Sequence, residues 1–440
     1  MFKVEYKYSA CIKIITDDTR ILCDPWFGSS AYEGTWHHFP PVKDTIGLVG
    51  DFDLIYVSHI HPDHYCSETI SELLAHYGNK NILIADWGGH ANYLARKMGS
   101  DGLRDNLLIS NEITIGDTSI KVIPNRTGSL SDIDSALIVS SKNSKKAVLN
   151  VNDCIYNDSF YDKINEVKAE EGLEFTLFCL GYTGAGPYPQ TYYSPILDEG
   201  KLLELAGKKK QQFFDRYLKA ISKIDSVKRL PFAGKYVLKG DLSVLNKYRG
   251  VADALEVKEF DSDAIVLDDG GNAYFDLESL KSSSERQERY HKIDYFPTDI
   301  DYNWRTSVGF TPSPTHLKRL LSKSIGNAHP RSECDRDCFW SIYTYDAPSM
   351  LIDLWSQKEP WGLIEPLATF NCNKNSDPQQ LAGTPFCHSH LFIESKALFA
   401  VLTGISHWNN YEVGSVFQVR RVPDVYVGEM QQYLNFLSVI

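Results

Sequence analysis

The run Phe52 to Ser58 (FDLIYVS) is apolar at consecutive positions from Leu54 to Val57, and the chain passes from it directly into His59-Ile60-His61-Pro62-Asp63-His64-Tyr65. The run reads as a buried strand. Ser67 then reads as the cap of a helix carrying Ile70, Leu73, Leu74 and Tyr77 at helical spacing. Three histidines and an aspartate are thus held on a turn between a rigid strand end and a helix start. Two imidazoles one residue apart can converge on one cation, while Asp63 and His64 turn toward a second. An ordinary exposed polar turn is the plain alternative. With 13 His in 440 residues, however, this density of metal-ligating side chains is rare by composition.

Strands and helices interleave around this loop. Asn81 to Ala85 reads as a strand and His90 to Met98 as a helix. The β runs Thr118 to Ile123, Ser135 to Ser140 and Ala147 to Val151 follow, with separations that suit an antiparallel or mixed sheet. A helix over Ser159 to Lys168, a strand at Phe175 to Leu180 and a long helix around Glu204 to Ile221 complete an α/β or α+β pattern of helix layers on sheet. Near residue 280 the composition shifts. Lys281 to Arg289 (KSSSERQER) reads as a linker or an exposed helix start, and frequent prolines and aromatics follow it. We expect a domain over 1–280 and a second, α+β in character and of open role, over 290–440. Such a division suits the length of the chain.

A formal net charge of −12 argues against nucleic acid as a partner. No apolar run approaches the roughly 20 residues of a membrane helix, and lysines and an acidic pair stand where a signal peptide would have its apolar segment. Nine scattered cysteines do not read as a disulfide framework. The expectation is a cytoplasmic protein acting on a small molecule.

The His59-x-His61-x-Asp63-His64 pattern resembles the signature metal loop of the metallo-β-lactamase superfamily. That resemblance implies an αββα sandwich, a supporting role for Asp24 in ILCDPWFG, and a metal-bridging carboxylate at Asp153 in AVLNVNDC. Phrases at Asp24 to Trp36, Ser131 to Ser141, Asn150 to Cys154 and Leu230 to Gly234 are similar to the catalytic part of CMP-N-acetylneuraminate hydroxylases. The implied metal ligands are His59, His61, Asp63, His64 and Asp153. They would hold one or two divalent ions: zinc or iron, with manganese as a further option. The pattern also departs from the family. No His lies between His90 and His291, and the position expected for a third His, near Asn125 to Asp134, holds PNRTGSLSD. Asp132, Asp134, His37, His38 and His90 are the candidates to complete the set.

The hydroxylases carry a Rieske iron–sulfur domain, and we expect none ahead of the first strand here. Cys387-His388-Ser389-His390 contains a CxxH, but Lys374 stands two after Cys372 where a Rieske motif needs His. The pair reads as a coincidence or a lost cluster. Cys334 and Cys338 could join Cys372 or Cys387 on zinc, but the spacing is unspecific and free thiols are expected. The loop Gly181 to Gln190 (GYTGAGPYPQ) either lines a crevice or is a rigid turn. Lys208 to Lys210 reads as a solvated helix face, and His407 to Ser415 as a structural turn unless two domains share a cleft.

The leading expectation is a metal-dependent hydrolase. It would use a metal-bound hydroxide on an ester, lactone, amide or phosphodiester, with Asp63 as ligand or proton acceptor and a metal or Lys235 balancing developing charge. The alternative is an iron oxygenase, an oxidoreductase drawing electrons from a separate partner. A binding protein that keeps only the fold would have lost its ligands, and the loop is intact.

Overall fold

The computed structural model describes residues 1–28, 30–127, 133–154, 156–289, 302–375 and 385–440. In chain order the strands are β1 Lys3–Tyr8, β2 Cys11–Ile15, β3 Arg20–Cys23, β4 Trp36–His37, β5 Leu54–Tyr56, β6 Asn81–Ile84 and β7 Leu107–Ile109. Next come β8 Glu112–Ile115, β9 Thr118–Pro124, β10 Ser135–Ser141, β11 Lys146–Asn150, β12 Glu174–Gly181, β13 Lys228–Phe232 and β14 Val237–Leu238. The last are β15 Tyr274–Asp276, β16 Lys281–Ser282, β17 Cys338–Tyr345, β18 Ala368–Asn371, β19 Cys387–Glu394 and β20 Gln418–Val422.

Two large sheets face each other. One has the order β16-β15-β1-β2-β3-β5-β6-β7 and the other β13-β12-β11-β10-β9-β8. The second is mixed: β8 through β11 pair antiparallel, whereas β11, β12 and β13 run parallel. Strand side chains alternate faces, and the burial follows that period. Leu137, Val139, Val148, Leu177 and Cys179 point inward to meet Ile12, Ile14, Ile21, Leu54 and Tyr56 of the other sheet. Their neighbours Ile138, Leu149, Phe178 and Leu180 point outward onto the helices Asp158–Glu171 and Glu199–Lys223. Ile55 and Val57 likewise pack outward against Ile70 and Leu73 of the helix Ser67–Tyr77. The layers are helix, sheet, sheet, helix: the metallo-β-lactamase fold. Strands covered on both faces are apolar at every position, which is why Leu54 to Val57 shows no alternation.

A further sheet, β18-β17-β19-β20, forms toward the C-terminus with β17 and β19 parallel. Its core, including Trp340, Leu391 and Tyr411, is continuous with Trp26, Tyr32, Trp36 and Tyr248 from the earlier part of the chain. The stretch Lys281 to Arg289 is not a plain linker. β16 lies in it, and Arg286 makes a buried ion pair with Asp253 at 2.7 Å. The polar side chains there belong to a sheet edge. The Gly181 to Gln190 loop packs toward the C-terminal part, where Gln190 donates to Ser415 Oγ at 3.1 Å and Val419 N–H to Thr191 O at 2.9 Å. Of the lysine run, Lys208 pairs with Glu204 and Lys210 with Glu256, but Lys209 is buried and donates to Tyr188 O at 2.8 Å. Among the described residues no helix is long and apolar enough to cross a membrane.

Candidate metal centre

Three loops at the carboxyl ends of strands build the centre: those after β3, β5 and β11. Strand ends of this kind are where α/β sheets place their ligands. β3 and β5 are parallel neighbours, so Asp24 and Ser58 leave the sheet side by side. Asp24 is fully buried and has φ 45°, a conformation rare outside glycine that bends the chain under the next loop. Its Oδ1 accepts Ser58 N–H at 2.8 Å, and its Oδ2 accepts Ser58 Oγ–H at 2.8 Å and lies 3.1 Å from His64 Nδ1. An Nδ1–H given to a carboxylate fixes the ring and turns the Nε2 of His64 inward.

On that inward side, His64 Nε2 lies 3.1 Å from Asp153 Oδ1 and 3.6 Å from Asp63 Oδ2. His59 and His64 ring centres are 4.1 Å apart, and His59 Nε2 lies 2.8 Å from His61 Nδ1. Asp63 is steadied by Tyr32, whose hydroxyl donates to Oδ1 at 2.8 Å. Among the described residues, two sets bring their ligand atoms within 4.8 Å of one another: His59, His64 and Asp153, and His59, Asp134 and Cys154.

Burial and position set the charges. Burial lowers the pKa of His59, and the neighbouring His64 and His61 lower it further, so it is a neutral imidazole. For His64 burial opposes the charge, but Asp153 and Asp63 outweigh it and raise its pKa. Burial likewise opposes charge on Asp153, yet His64 and His59 hold its carboxyl below the usual range. Burial raises Asp63 and Asp134.

These residues fit a cation. His64 Nε2 is buried and makes no well-aligned hydrogen bond despite the nearby Asp153. His59 Nε2 and His61 Nδ1 face each other at 2.8 Å, and as neutral imidazoles either ring can offer a nitrogen lone pair to a cation. A cation held by imidazole and carboxylate would satisfy all of these groups at once.

The remaining candidates do not join. His37 Nε2 hydrogen-bonds Gly34 O at 3.0 Å and His38 Nε2 hydrogen-bonds Trp26 O at 2.9 Å. His38 also lies against the Trp26 ring at 3.9 Å, and burial depresses it to about 3. His90 is exposed. Asp132 lies outside the described residues. Lys235 is not a charge-balancing group beside the loop: it is buried and paired with Asp269 at 2.5 Å. Cys154 and Tyr32 carried no role in the sequence reading. Cys154 adjoins Asp153 and lies 3.8 Å from His59 Nδ1, whereas Tyr32 reaches the loop only through tertiary packing.

A cavity of about 740 Å³ opens beside the loop. His61, Tyr32 and Tyr65 line one side, and Asn303, His407 and Asn410 the other. The two parts of the chain therefore share a cleft, and the His407 to Ser415 segment is more than a turn.

Residues 3–134 match the family model of the beta-lactamase superfamily domain. Over 237 residues the chain is 31% identical to a Mycobacterium tuberculosis protein named for a Rieske 2Fe-2S iron–sulfur centre, covering 50% of this chain and 41% of that one. It is 22% identical over 237 residues to the cytidine monophosphate-N-acetylneuraminic acid hydroxylase of Danio rerio, covering 52% of this chain and 38% of that one. A Veillonella parvula structure described as a possible metal-dependent hydrolase aligns with a TM-score of 0.42 at 14% identity, over 61% of this chain and 98% of that one. The match spans less than half the length of these curated relatives.

Proposed function

We propose that this chain, which carries a metallo-β-lactamase superfamily domain in its N-terminal part, is an iron-dependent oxygenase acting on a small molecule in the cleft beside His61. The observation that carries the reading is the set His59, His64 and Asp153, two imidazoles and one carboxylate within 4.8 Å of one another. Two His and one carboxylate with open positions suit non-haem ferrous iron. The names of the two curated relatives, one for a hydroxylase and one for an iron–sulfur centre, point the same way.

Bound there, iron would supply oxygen activation, with electrons delivered by a separate partner. The chain's own residues do the rest. Asp24 holds the tautomer of His64, and Tyr32 holds Asp63 where it can accept or return a proton beside His64. The cavity volume falls within the roughly 300–1,000 Å³ of small-molecule sites.

The second reading is a metal-dependent hydrolase. The same His59–His61 pair favours it, because imidazoles on a strand-ended loop suit zinc equally well. Protein loaded anaerobically with ferrous iron and exposed to nitric oxide separates the two. An oxygenase site with an open position gives the high-spin ferrous–nitrosyl signal and consumes oxygen only with a reductant. A chain that binds zinc in preference, gives no nitrosyl signal and cleaves p-nitrophenyl esters without oxygen is a hydrolase.

A further inference from the structure

We infer that the cleft beside His61 takes a neutral, hydroxyl-rich ring compound, and that carboxamides from the C-terminal part of the chain select it against anions. The inference rests on the proposed reading only in placing the substrate in this cleft. Asn303, His407, Asn409, Asn410 and Asn435 line it from the C-terminal part, and Tyr32, Tyr65 and Tyr93 from the N-terminal part.

Four carboxamides and one imidazole make an uncharged hydrogen-bonding wall. Each carboxamide both donates and accepts, as a hydroxyl does. The side-chain amides of Asn303, Asn409 and Asn435 have no hydrogen-bond partner among the described residues. Asn410 Nδ2 donates to Glu33 Oε1 at 3.1 Å and keeps its own Oδ1 as an acceptor. His407 adds a donor without a charge. Its Nδ1 accepts Asn409 N–H at 3.1 Å, so the proton of the neutral ring stands on Nε2, and burial lowers its pKa. The wall is anchored as well. Asn303 N–H donates to Glu33 O at 3.0 Å, and Tyr32, the residue before Glu33, holds Asp63. Recognition and the metal loop thus share the segment Tyr32-Glu33.

The charges point the same way. Among the described lining residues Lys97 is the only lysine or arginine, and Asp101 holds its ammonium with both oxygens, at 2.6 and 2.7 Å. Glu33 and Glu68 add two carboxylates to the lining. An anionic group would find no guanidinium and no unpaired ammonium among these residues, and the two carboxylates would oppose it. A cation in the histidine centre would already meet Asp153 and Asp63, both within 3.6 Å of His64 Nε2. The N-terminal side offers aromatic area instead. Tyr93 opens the helix Tyr93–Ser100 and is 41% exposed. Tyrosine faces suit the apolar side of a ring, and carboxamides suit its hydroxyl edge.

Saturation-transfer-difference NMR on the full chain, loaded with zinc so that iron chemistry plays no part, tests this. The probes are neutral pyranosides and nucleosides, each beside its phosphate, carboxylate and amine counterpart. Neutral members should bind, and an added phosphate or carboxylate should weaken binding at least about 10-fold. Asn409→Leu and Asn435→Leu should each lose about 3- to 10-fold, the worth of one neutral hydrogen bond, with metal content unchanged. Asn435→Arg, at an exposed position, should raise the phosphate counterparts to or above their neutral parents, which a merely structural asparagine would not do. Charged counterparts that outbind their parents on the native chain would overturn the inference. So would Leu variants that bind like the native chain, or no neutral ring binding at millimolar concentration. A missing nitrosyl signal with this binding pattern intact sinks the oxygenase reading alone, and the reverse result sinks this inference alone.

Discussion

His64 Nε2 stands 3.1 Å from Asp153 Oδ1, a contact that joins the loop after β5 in one sheet to the loop after β11 in the other. Each residue shifts its partner toward the charged form. A cation binding at His64 must displace the proton on Nε2, so loading the centre releases a proton and its affinity rises with pH.

The first prediction concerns the loop itself. His59→Ala with His61→Ala removes two facing imidazoles and should abolish metal at this centre while leaving the fold intact, because the sandwich core lies between the sheets. Metal analysis and circular dichroism check this; full occupancy of the histidine centre in the double variant would refute its assignment.

Asp24→Asn keeps the volume but weakens the hold on Ser58 and His64. Losing a group that orients a metal ligand typically costs about 10- to 100-fold in affinity or activity. We expect a drop of that size in metal affinity, measured by chelator competition. Affinity equal to the native protein's would show that Asp24 does not set the His64 ring.

Gly181 is a test of close approach. A Cβ placed there would come within 2.8 Å of Asp153 Cα, and Gly181 N–H already donates to Asn152 O at 2.7 Å. Gly181→Ala should push the Asp153 loop away, costing about 1–3 kcal/mol in stability and weakening metal binding. Denaturant unfolding together with metal titration measures both, and an unchanged metal affinity would contradict the proposed crowding.

Lys209 predicts a pH dependence of stability. Burial, aided by Arg249, lowers it from 10.5 to about 7. Between those values the unfolded chain keeps the proton that the folded chain has lost, so this group makes stability rise with pH from about 7 toward 10.5. Lys209→Met removes the contribution. Native stability relative to the Met variant should increase by about 2–3 kcal/mol between roughly pH 6 and pH 9. Urea unfolding of both proteins at the two pH values checks it; a constant difference would mean that Lys209 stays charged.

Short-range chemistry was readable in the chain. His59, His61, Asp63 and His64 are bound together by six positions of backbone, and a strand end followed by a helix start suffices to gather them. The apolar stretch Leu54 to Val57 and the spacing of Ile70 and Leu73 reflect the layers that bury them, so helix layered on sheet was legible as well, whereas the αββα sandwich stood out only by family resemblance. Long-range partners were not derivable from local pattern. Asp24 and Asp153 stood out only by family resemblance, and the register of β3, β5 and β11 brings them to His64. Tyr32 and the shared cleft wall of Asn410 and His407 depend on pairings between distant segments. His37, His38 and Lys235 looked available because composition cannot reveal a backbone carbonyl or an Asp269 waiting in the folded chain. Neighbours in sequence constrain one another through a few dihedral angles, whereas partners far apart meet only where burial of the apolar faces selects one strand register, and that selection belongs to the tertiary structure.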